Sequence, residues 1–232
     1  MSEIYKVAII GSGPAGMSAA SHAAKLGLNH VLLEKTDHLS DTIYKYQKGK
    51  HVMATPNQLI LRSDQEFDAG KREDILGKWN DRTKELSVNV KFNAEVKSIK
   101  GTGEAIAGSI QKMVARARDG TTTTTELQRM APPYELTLTN GEKVIAENVI
   151  LAIGTQGNPN LMRCPGGDLA HVTYQLDDPY VVVDQHIIVI GTGDAGIENA
   201  RGLVEDEVQG NIVSVLNRAQ KSTTVRESFP TA

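Results

Sequence analysis

The chain has 232 residues, of which 40% are hydrophobic and 23% are charged. This composition is typical of a folded globular protein and excludes the disordered and fibrous classes. The formal net charge of -3 offers no basic surface for nucleic acid or for an anionic membrane. The longest apolar runs are far shorter than the roughly 20 residues that a membrane span needs, and the start of the sequence lacks a signal-peptide pattern. We therefore expect a cytoplasmic protein with no membrane or nucleic acid partner.

Cysteine and histidine usage removes two kinds of chemistry. The chain contains one cysteine, Cys164, so it cannot form an internal disulfide or a Cys-x-x-Cys dithiol. We interpret Cys164 as a small buried or loop residue, and a thiol reaction would need sulfur from a partner. The six histidines are scattered without the spacing of metal ligands, so we predict no metal site.

The first motif begins with a short apolar run, 5–10, that predicts a buried parallel strand. Three glycines follow it at G-x-G-x-x-G spacing: Gly11, Gly13 and Gly16. Residues 15–27 then predict an alanine-rich helix, and residues 30–35 predict a second strand. That strand ends at Glu34, close to the acid expected about 20 residues beyond the first glycine of a dinucleotide-binding motif.

Each part of this motif has a physical purpose. Gly11 allows a tight turn, Gly13 lets the backbone approach a pyrophosphate, and Gly16 lets the helix pack closely on the sheet. The helix directs free N–H groups and its dipole at the phosphates, and Pro14 suits its first turn. The acid can accept hydrogen bonds from a ribose. The predicted contacts of this first site are Gly11, Ser12, Gly13, Pro14, Ala15, Gly16, Glu34 and Lys35.

A second copy of the motif lies some 180 residues later in the sequence. Residues 186–191 predict a strand, 194–208 a helix that ends near Gly210, and 211–218 a second strand. Where the first copy has an acid, this copy has Asn217 followed by Arg218, with further positive charge at Lys221 and Arg226. A neutral residue beside an arginine favours NADP(H) over NAD(H), although Arg218 can also be read as a solvated surface residue. The predicted contacts of this second site are Gly191, Gly193, Asp194, Ala195, Gly196, Asn217 and Arg218.

These two fingerprints, the first with the form G-x-G-P-A-G, resemble those of the two-dinucleotide-binding flavoproteins, in particular thioredoxin-reductase-like pyridine nucleotide-disulfide oxidoreductases. A third stretch, 148–159, is similar to the segment that closes the flavin domain of this family, with Ala152, Ile153, Gly154 and Thr155 in its motif positions. We read 149–153 as a buried strand. The resemblance implies FAD at the first site, with adenine near the backbone of Val96 and further contacts at Ala152 and Gly154, and NAD(P)H at the second.

The expected fold is α/β. A Rossmann-like FAD-binding domain, residues 1–160, would combine a parallel sheet with a β-hairpin layer that includes an Asn140-Gly141 turn. A second, incomplete Rossmann-like NAD(P)-binding unit would occupy 161–232. The resemblance also implies a later flavin-binding segment, for which this sequence has no room after Arg218, so we expect a fragment or a shortened form.

Three local predictions concern the middle of the first domain. We expect an exposed insertion at about 101–133, with a short basic helix at 109–120. Residues 71–86 predict an amphipathic helix with Trp79 in the core. In the loop at 42–56, we expect Tyr44 and Tyr46 to pack inward, the alternative being that its tyrosines and lysines line a substrate face.

The resemblance implies an oxidoreductase that passes a hydride from NAD(P)H to FAD and then to a disulfide or another small-molecule or protein acceptor, without an internal Cys-x-x-Cys. Relatives commonly form homodimers. No catalytic residue is predicted. One alternative is a flavin monooxygenase, since Gly167 and His171 have the spacing of its signature, but Pro165 and Gln175 replace its aromatic residues. The other is a non-catalytic nucleotide-binding module.

Overall fold

The computed structural model of the chain describes residues 3–53, 63–116, 121–157, 161–162, 164–205 and 210–217. The chain divides into two compact units. The first comprises Met1–Tyr44, Val52–Gly70 and Asp74–Asn158, and the second comprises Lys45–His51, Lys71–Glu73 and Pro159–Ala232. Two short segments from the first half of the chain therefore belong to the second unit.

A parallel sheet forms one layer of the first unit. Its strands are β2 (Val7–Ile10), β3 (His30–Leu33), β6 (Val90–Lys91) and β12 (Val149–Leu151), in the order β12-β2-β3-β6. Every residue of β2 and β3 is buried, which explains their nearly unbroken apolar sequences. The strand predicted over 5–10 is shorter than expected. The chain bends at Lys6, and Ile4–Tyr5 forms a separate strand, β1, in another sheet.

A mixed layer packs on this sheet. It consists of β1, β7 (Val96–Gly101), β10 (Tyr134–Leu138) and β11 (Lys143–Ala146), in the order β1-β11-β10-β7. The strands β7, β10 and β11 pair antiparallel, and β1 is parallel to β11. The predicted hairpin is confirmed, with Gly141 at a φ of 86° in its turn. Buried side chains from both sheets and Ala94, which lies between β6 and β7, form one core: Ala8, Ile10, Val31, Leu33, Ala94, Leu136, Leu138, Val144 and Ala146.

Helices α1 (Pro14–Lys25), α2 (Asp41–Tyr44) and α3 (Arg72–Glu85) connect these strands, together with a short ladder of β4 (His51–Val52) and β5 (Gly70–Lys71). Helix α1 ends at Lys25, and Gly27, with a φ of 65°, closes it two residues later as predicted. The prediction for α3 is also confirmed. Trp79 is 4% exposed, and its indole N–H donates to the carbonyl of Glu66 at 3.0 Å.

The described part of the predicted insertion contains a long β-ribbon, so the basic helix predicted at 109–120 is wrong over 109–116, and its residues 117–120 lie outside the described residues. Strand β8 (Ala105–Arg116) pairs antiparallel with β9 (Thr122–Met130), in register from Ile110 opposite Gln128 to Arg116 opposite Thr122. The threonine run in β9 supplies β-branched partners that favour an extended chain. The ribbon continues the β7–β10 pair, because the N–H of Ala131 donates to the carbonyl of Glu104 at 2.8 Å.

The second unit repeats the strand–helix–strand plan of the first. Strands β13 (His186–Ile190) and β14 (Ile212–Leu216) are parallel, and α4 (Asp194–Gly202) lies between them in sequence. Its core contains Ala200, Leu203 and Val213, with Ile187, Val189 and Val215 packed against them. The helix is shorter than predicted. It ends at Gly202, where the N–H of Leu203 donates to the carbonyl of Asn199 at 3.1 Å.

The opposite face of the β13–β14 pair is open to solvent. Ile188 is 63% exposed and Ile190 is 59% exposed, and Ile212 and Leu216 are also exposed. Parallel strands are usually covered on both faces. The described residues cover this pair on one face only. Among those residues, no helix has the length and apolar character of a membrane span.

Candidate dinucleotide-binding sites

The first glycine loop follows β2. The N–H of Gly11 donates to the carbonyl of Leu33 at 2.8 Å, and Gly11 has a φ of 96°. A Cβ on Gly11 would lie 2.5 Å from the carbonyl oxygen of Ala152. Both the backbone conformation and the close contact therefore require glycine at this position.

Helix α1 packs closely against this turn through Gly16. A Cβ on Gly16 would lie 1.8 Å from the carbonyl oxygen of Gly11. A Cβ on Gly13, by contrast, would meet no atom within 4 Å. The loop thus combines a tight packing point with an open backbone surface, as expected where a phosphate approaches the main chain.

The amino end of α1 supplies hydrogen-bond donors to that open surface. Gly13 is the N-cap, Pro14 and Ala15 start the helix, and no side chain of the described residues caps it. The uncapped N–H groups and the helix dipole favour an anion. The residues present therefore fit the pyrophosphate of a dinucleotide.

Glu34 follows β3 and is held beside the loop as a buried carboxylate, 4% exposed. Ser12 donates to Oε2 through its N–H at 2.9 Å and its hydroxyl at 2.5 Å. Thr36 donates to Oε1 through its N–H at 3.0 Å and its hydroxyl at 3.1 Å. Ser40, at a φ of 56°, completes the cluster by donating its N–H to the Ser12 hydroxyl at 2.9 Å.

Sequence reasoning found Glu34 and Ser12 but missed Thr36 and Ser40. Thr36 lies two residues after the acid, so its bonds to Glu34 are local in sequence. The contact between Ser12 and Ser40 spans 28 residues and has no local signature.

The other residues predicted for the first site are Ala152, Gly154, Val96 and Lys35. The N–H of Ala152 donates to the carbonyl of Ile10 at 2.8 Å, which places Ala152 beside the glycines. Gly154 follows with a φ of 65°. Val96 starts β7 and packs against the core, and the Lys35 amine lies 4.0 Å from Oδ2 of Asp41.

Two burial predictions near this site are wrong. The strand read as buried over 149–153 ends at Leu151, which is 63% exposed, and Ile153 is 68% exposed, because the described sheet has no neighbour beyond β12. Tyr44 is 47% exposed rather than packed inward, since its ring stacks on His38 at 3.7 Å between centroids. Tyr46, in the second unit, is partly buried, with the Lys50 amine 4.8 Å from its ring centroid.

Hydrogen bonds and ion pairs lower the pKa of several described carboxyls. A hydrogen bond from His38 lowers the pKa of Asp37. Lysine partners likewise lower the pKa of three further carboxyls, Asp64 by Lys25, Glu142 by Lys91 and Asp178 by Lys48. Ion pairs and hydrogen bonds of this kind keep these groups charged.

The second glycine loop has the geometry of the first. The N–H of Gly191 donates to the carbonyl of Leu216 at 2.8 Å, and its φ is 124°. A Cβ on Gly196 would lie 2.1 Å from the carbonyl oxygen of Gly191, whereas one on Gly193 would meet no atom within 4 Å. Gly193 is the uncapped N-cap of α4, and Asp194 and Ala195 start the helix.

The end of β14 carries the predicted specificity residue of the second site. Asn217 follows the strand in an exposed position, in the place that Glu34 takes after β3. The predicted positive residues Arg218, Lys221 and Arg226 lie outside the described residues.

The remaining candidates from the sequence are metal ligands, Cys164 and the residues that match the monooxygenase signature. In the part of the chain that the structure describes, no group of three or more His, Cys, Asp or Glu side chains could hold a metal ion. Cys164 is exposed and free. Of the two residues that match the monooxygenase signature, His171 is exposed and Gly167 accepts a hydrogen bond from the Tyr174 hydroxyl at 3.0 Å.

Comparison with known proteins assigns the family. Residues 5–228 match the pyridine nucleotide-disulphide oxidoreductase family. The chain belongs to this family. The resemblance and the α/β fold class inferred from the two fingerprints are therefore confirmed.

Individual relatives are distant. The chain is 23% identical to a ferredoxin–NADP reductase from Ignicoccus hospitalis over 88% of this chain and 54% of that protein. It is 25% identical to the bacilliredoxin reductase Bdr of Bacillus subtilis over 93% of this chain and 58% of that protein. The solved structure of the bacillithiol disulfide reductase Bdr from Staphylococcus aureus shares the fold, with a TM-score of 0.69 at 21% identity, over 97% of this chain and 61% of that one. The chain thus spans less than two thirds of the length of these relatives.

Proposed function

We propose that the chain forms the cofactor-binding part of an NAD(P)H-dependent flavoprotein oxidoreductase, with FAD at the first loop and NADP(H) at the second. The observation that carries this proposal is the repetition of one geometry. In each loop the first glycine bonds to the end of the neighbouring strand at 2.8 Å, and the third glycine leaves no room for a Cβ. Each loop therefore has the backbone that a dinucleotide pyrophosphate requires.

The residue that ends the second strand of each motif supports the assignment of the two nucleotides. Glu34 places a buried carboxylate beside the first loop, which suits a free ribose diol and repels a 2′-phosphate. Asn217 is neutral at the corresponding position of the second loop and accepts either form. We therefore assign the adenosine part of FAD to Gly11–Gly16 with Glu34, and NADP(H) to Gly191–Gly196 with Asn217.

Bound FAD would supply two-electron redox chemistry between the nicotinamide and an acceptor. The chain's own residues bind and orient the two nucleotides. The uncapped amino ends of α1 and α4 hold their phosphates, and the backbone of Ala152, followed by Gly154, lies beside the first loop. The acceptor is external to the chain, because the sequence contains one cysteine and no dithiol. A disulfide compound or a redox protein is the acceptor class that we propose.

The first experiment is an absorption spectrum of the purified chain after incubation with FAD and gel filtration. We expect oxidised-flavin absorption that coelutes with the protein and bleaches when NADPH is added without oxygen. A Gly11→Val variant is the matched control, since a Cβ at this position meets the Ala152 carbonyl at 2.5 Å, and it should elute without flavin.

The other outcomes are informative. Flavin that binds but does not bleach would remove the NADP(H) half of the proposal. A chain that is folded by circular dichroism and takes up neither FAD nor NADPH would overturn the proposal and favour a non-catalytic module.

A further inference from the structure

The hydroxyl of Thr36 faces two acceptors at once. Its Oγ1 lies 3.1 Å from Oε1 of Glu34 and 2.9 Å from the backbone carbonyl oxygen of His38. A threonine hydroxyl has a single proton to donate. It can therefore satisfy Glu34 or His38, but not both.

The carboxylate that shares this proton, Glu34, is 4% exposed. Removing a hydrogen-bond donor from it costs free energy, because a buried charged oxygen depends on hydrogen bonds. Its Oε2 is held by the N–H and hydroxyl of Ser12. Its Oε1 has one fixed donor, the N–H of Thr36 at 3.0 Å. The second position on Oε1 is filled by the Thr36 hydroxyl, which can exchange.

The alternative acceptor is held in place. The His38 ring contacts Asp37 Oδ1 at 2.7 Å and Asp41 Oδ1 at 3.2 Å, and it stacks on Tyr44. The next residues, Leu39 and Ser40, are buried. The Thr36 hydroxyl can therefore change partner by turning its O–H bond, with no movement of the backbone.

We propose that Thr36 is a positioning residue that takes the place of a ribose hydroxyl on Glu34. This inference rests on the proposed binding of an adenine nucleotide at the first loop. Without nucleotide, the Thr36 hydroxyl donates to Oε1 of Glu34. When nucleotide binds, a ribose hydroxyl donates to Oε1, and the Thr36 hydroxyl donates to the His38 carbonyl instead.

This exchange reduces how much the affinity of the site for a nucleotide depends on the ribose hydroxyl. In the native chain, a nucleotide that lacks the hydroxyl still leaves Glu34 satisfied, because Thr36 keeps its bond. In a Thr36→Val variant nothing replaces the missing donor, so the buried carboxylate loses a hydrogen bond. The variant should therefore discriminate more strongly between ribose and deoxyribose than the native chain does.

The test measures displacement of bound FAD, followed by flavin fluorescence, by ADP, 2′-deoxy-ADP and 3′-deoxy-ADP. Because FAD is the displaced ligand, the inhibition constants report on the flavin site alone. The proteins are the native chain, Thr36→Val, Thr36→Ala as a second variant without the hydroxyl, and Thr36→Ser as the control that keeps it. For at least one deoxynucleotide, the ratio of its inhibition constant to that of ADP should rise about fivefold in Thr36→Val and Thr36→Ala, the difference expected between a charged and a neutral acceptor. Thr36→Ser should keep the native ratio.

Equal ratios in all four proteins would overturn the role of Thr36. A merely structural defect would weaken ADP and both deoxynucleotides by the same factor and leave the ratios unchanged, so it counts against the proposal as well. If the native chain takes up no FAD, the assignment of the first loop fails and this inference fails with it. Uptake of FAD with unchanged ratios would instead leave the proposed function standing.

Discussion

Gly16 is the residue of the first loop with the least space for a side chain. A Cβ at this position would lie 1.8 Å from the Gly11 carbonyl oxygen. We expect Gly16→Ala to push α1 away from the turn, to destabilise the chain by about 1–3 kcal/mol as overpacking does, and to abolish FAD uptake. Urea unfolding and flavin binding would measure the two effects.

Gly77 provides the matched control, because it also lies within a helix but is exposed and has no atom within 4 Å of an added Cβ. Gly77→Ala should raise the free energy of unfolding by about 0.5–1 kcal/mol, the helix-propensity gain over glycine, and leave flavin binding unchanged. Equal flavin uptake by Gly16→Ala and Gly77→Ala would contradict the packing argument.

For single residues, the sequence predicted features that depend on neighbouring positions but not contacts between positions far apart in the chain. The spacing of Gly11, Gly13 and Gly16 carries its own geometry, because a turn and a helix start within six residues. The buried cluster around Glu34 depends on Ser40, whose approach to Ser12 is set by the fold and not by nearby sequence. Sequence therefore predicted the acid and Ser12 but not Thr36 and Ser40, which complete the cluster.

Among the secondary-structure elements, the β8–β9 ribbon shows why the helix prediction failed. Residues 109–116 have a helix-compatible composition when read alone, but their partner is a run of threonines that favours an extended strand. Pairing across the ribbon decides the outcome, and no local window contains it. The exposed end of β12 has a similar origin, because burial of Leu151 depends on a neighbouring strand and not on its own sequence.

The ribbon should be separable from the rest of the first unit. The described sheets pair β8 and β9 only with each other, and the N–H of Ala131 already bonds to the carbonyl of Glu104 at the base of the ribbon. Replacing 105–130 with an Asn-Gly turn should therefore leave flavin uptake and the thermal midpoint of flavin-bound protein nearly unchanged. Loss of flavin in this shortened chain would show that the ribbon supports the site.

For the molecule as a whole, each loop is built within its own unit, and this predicts independent binding. A Cβ on Gly196 would lie 2.1 Å from the Gly191 carbonyl, so Gly196→Ala should remove NADPH binding and keep FAD. Gly16→Ala should do the reverse. Isothermal titration with NADPH and flavin uptake, measured on both variants, would give this double dissociation.

A variant that loses both ligands while its far-ultraviolet circular dichroism stays native would contradict independent binding at the two loops.

Sequence predicted the fold class and the family because two complete motifs carry them. It could not identify an acceptor for the proposed reaction, because the sequence contains one cysteine and no Cys-x-x-Cys dithiol.

The bend at Lys6 has a consequence for the order of folding. On one side of it β1 pairs with β11, with Ile4 opposite Ile145, and on the other β2 pairs with β3 and β12. The segment that leads into the first glycine loop pairs with β3 nearby in sequence, but its other partners, β11 and β12, lie some 140 residues later. Contacts so distant in sequence form slowly because long loops must close first. We therefore expect the two sheets that meet at this bend to be completed only after β11 and β12 have paired with the start of the chain.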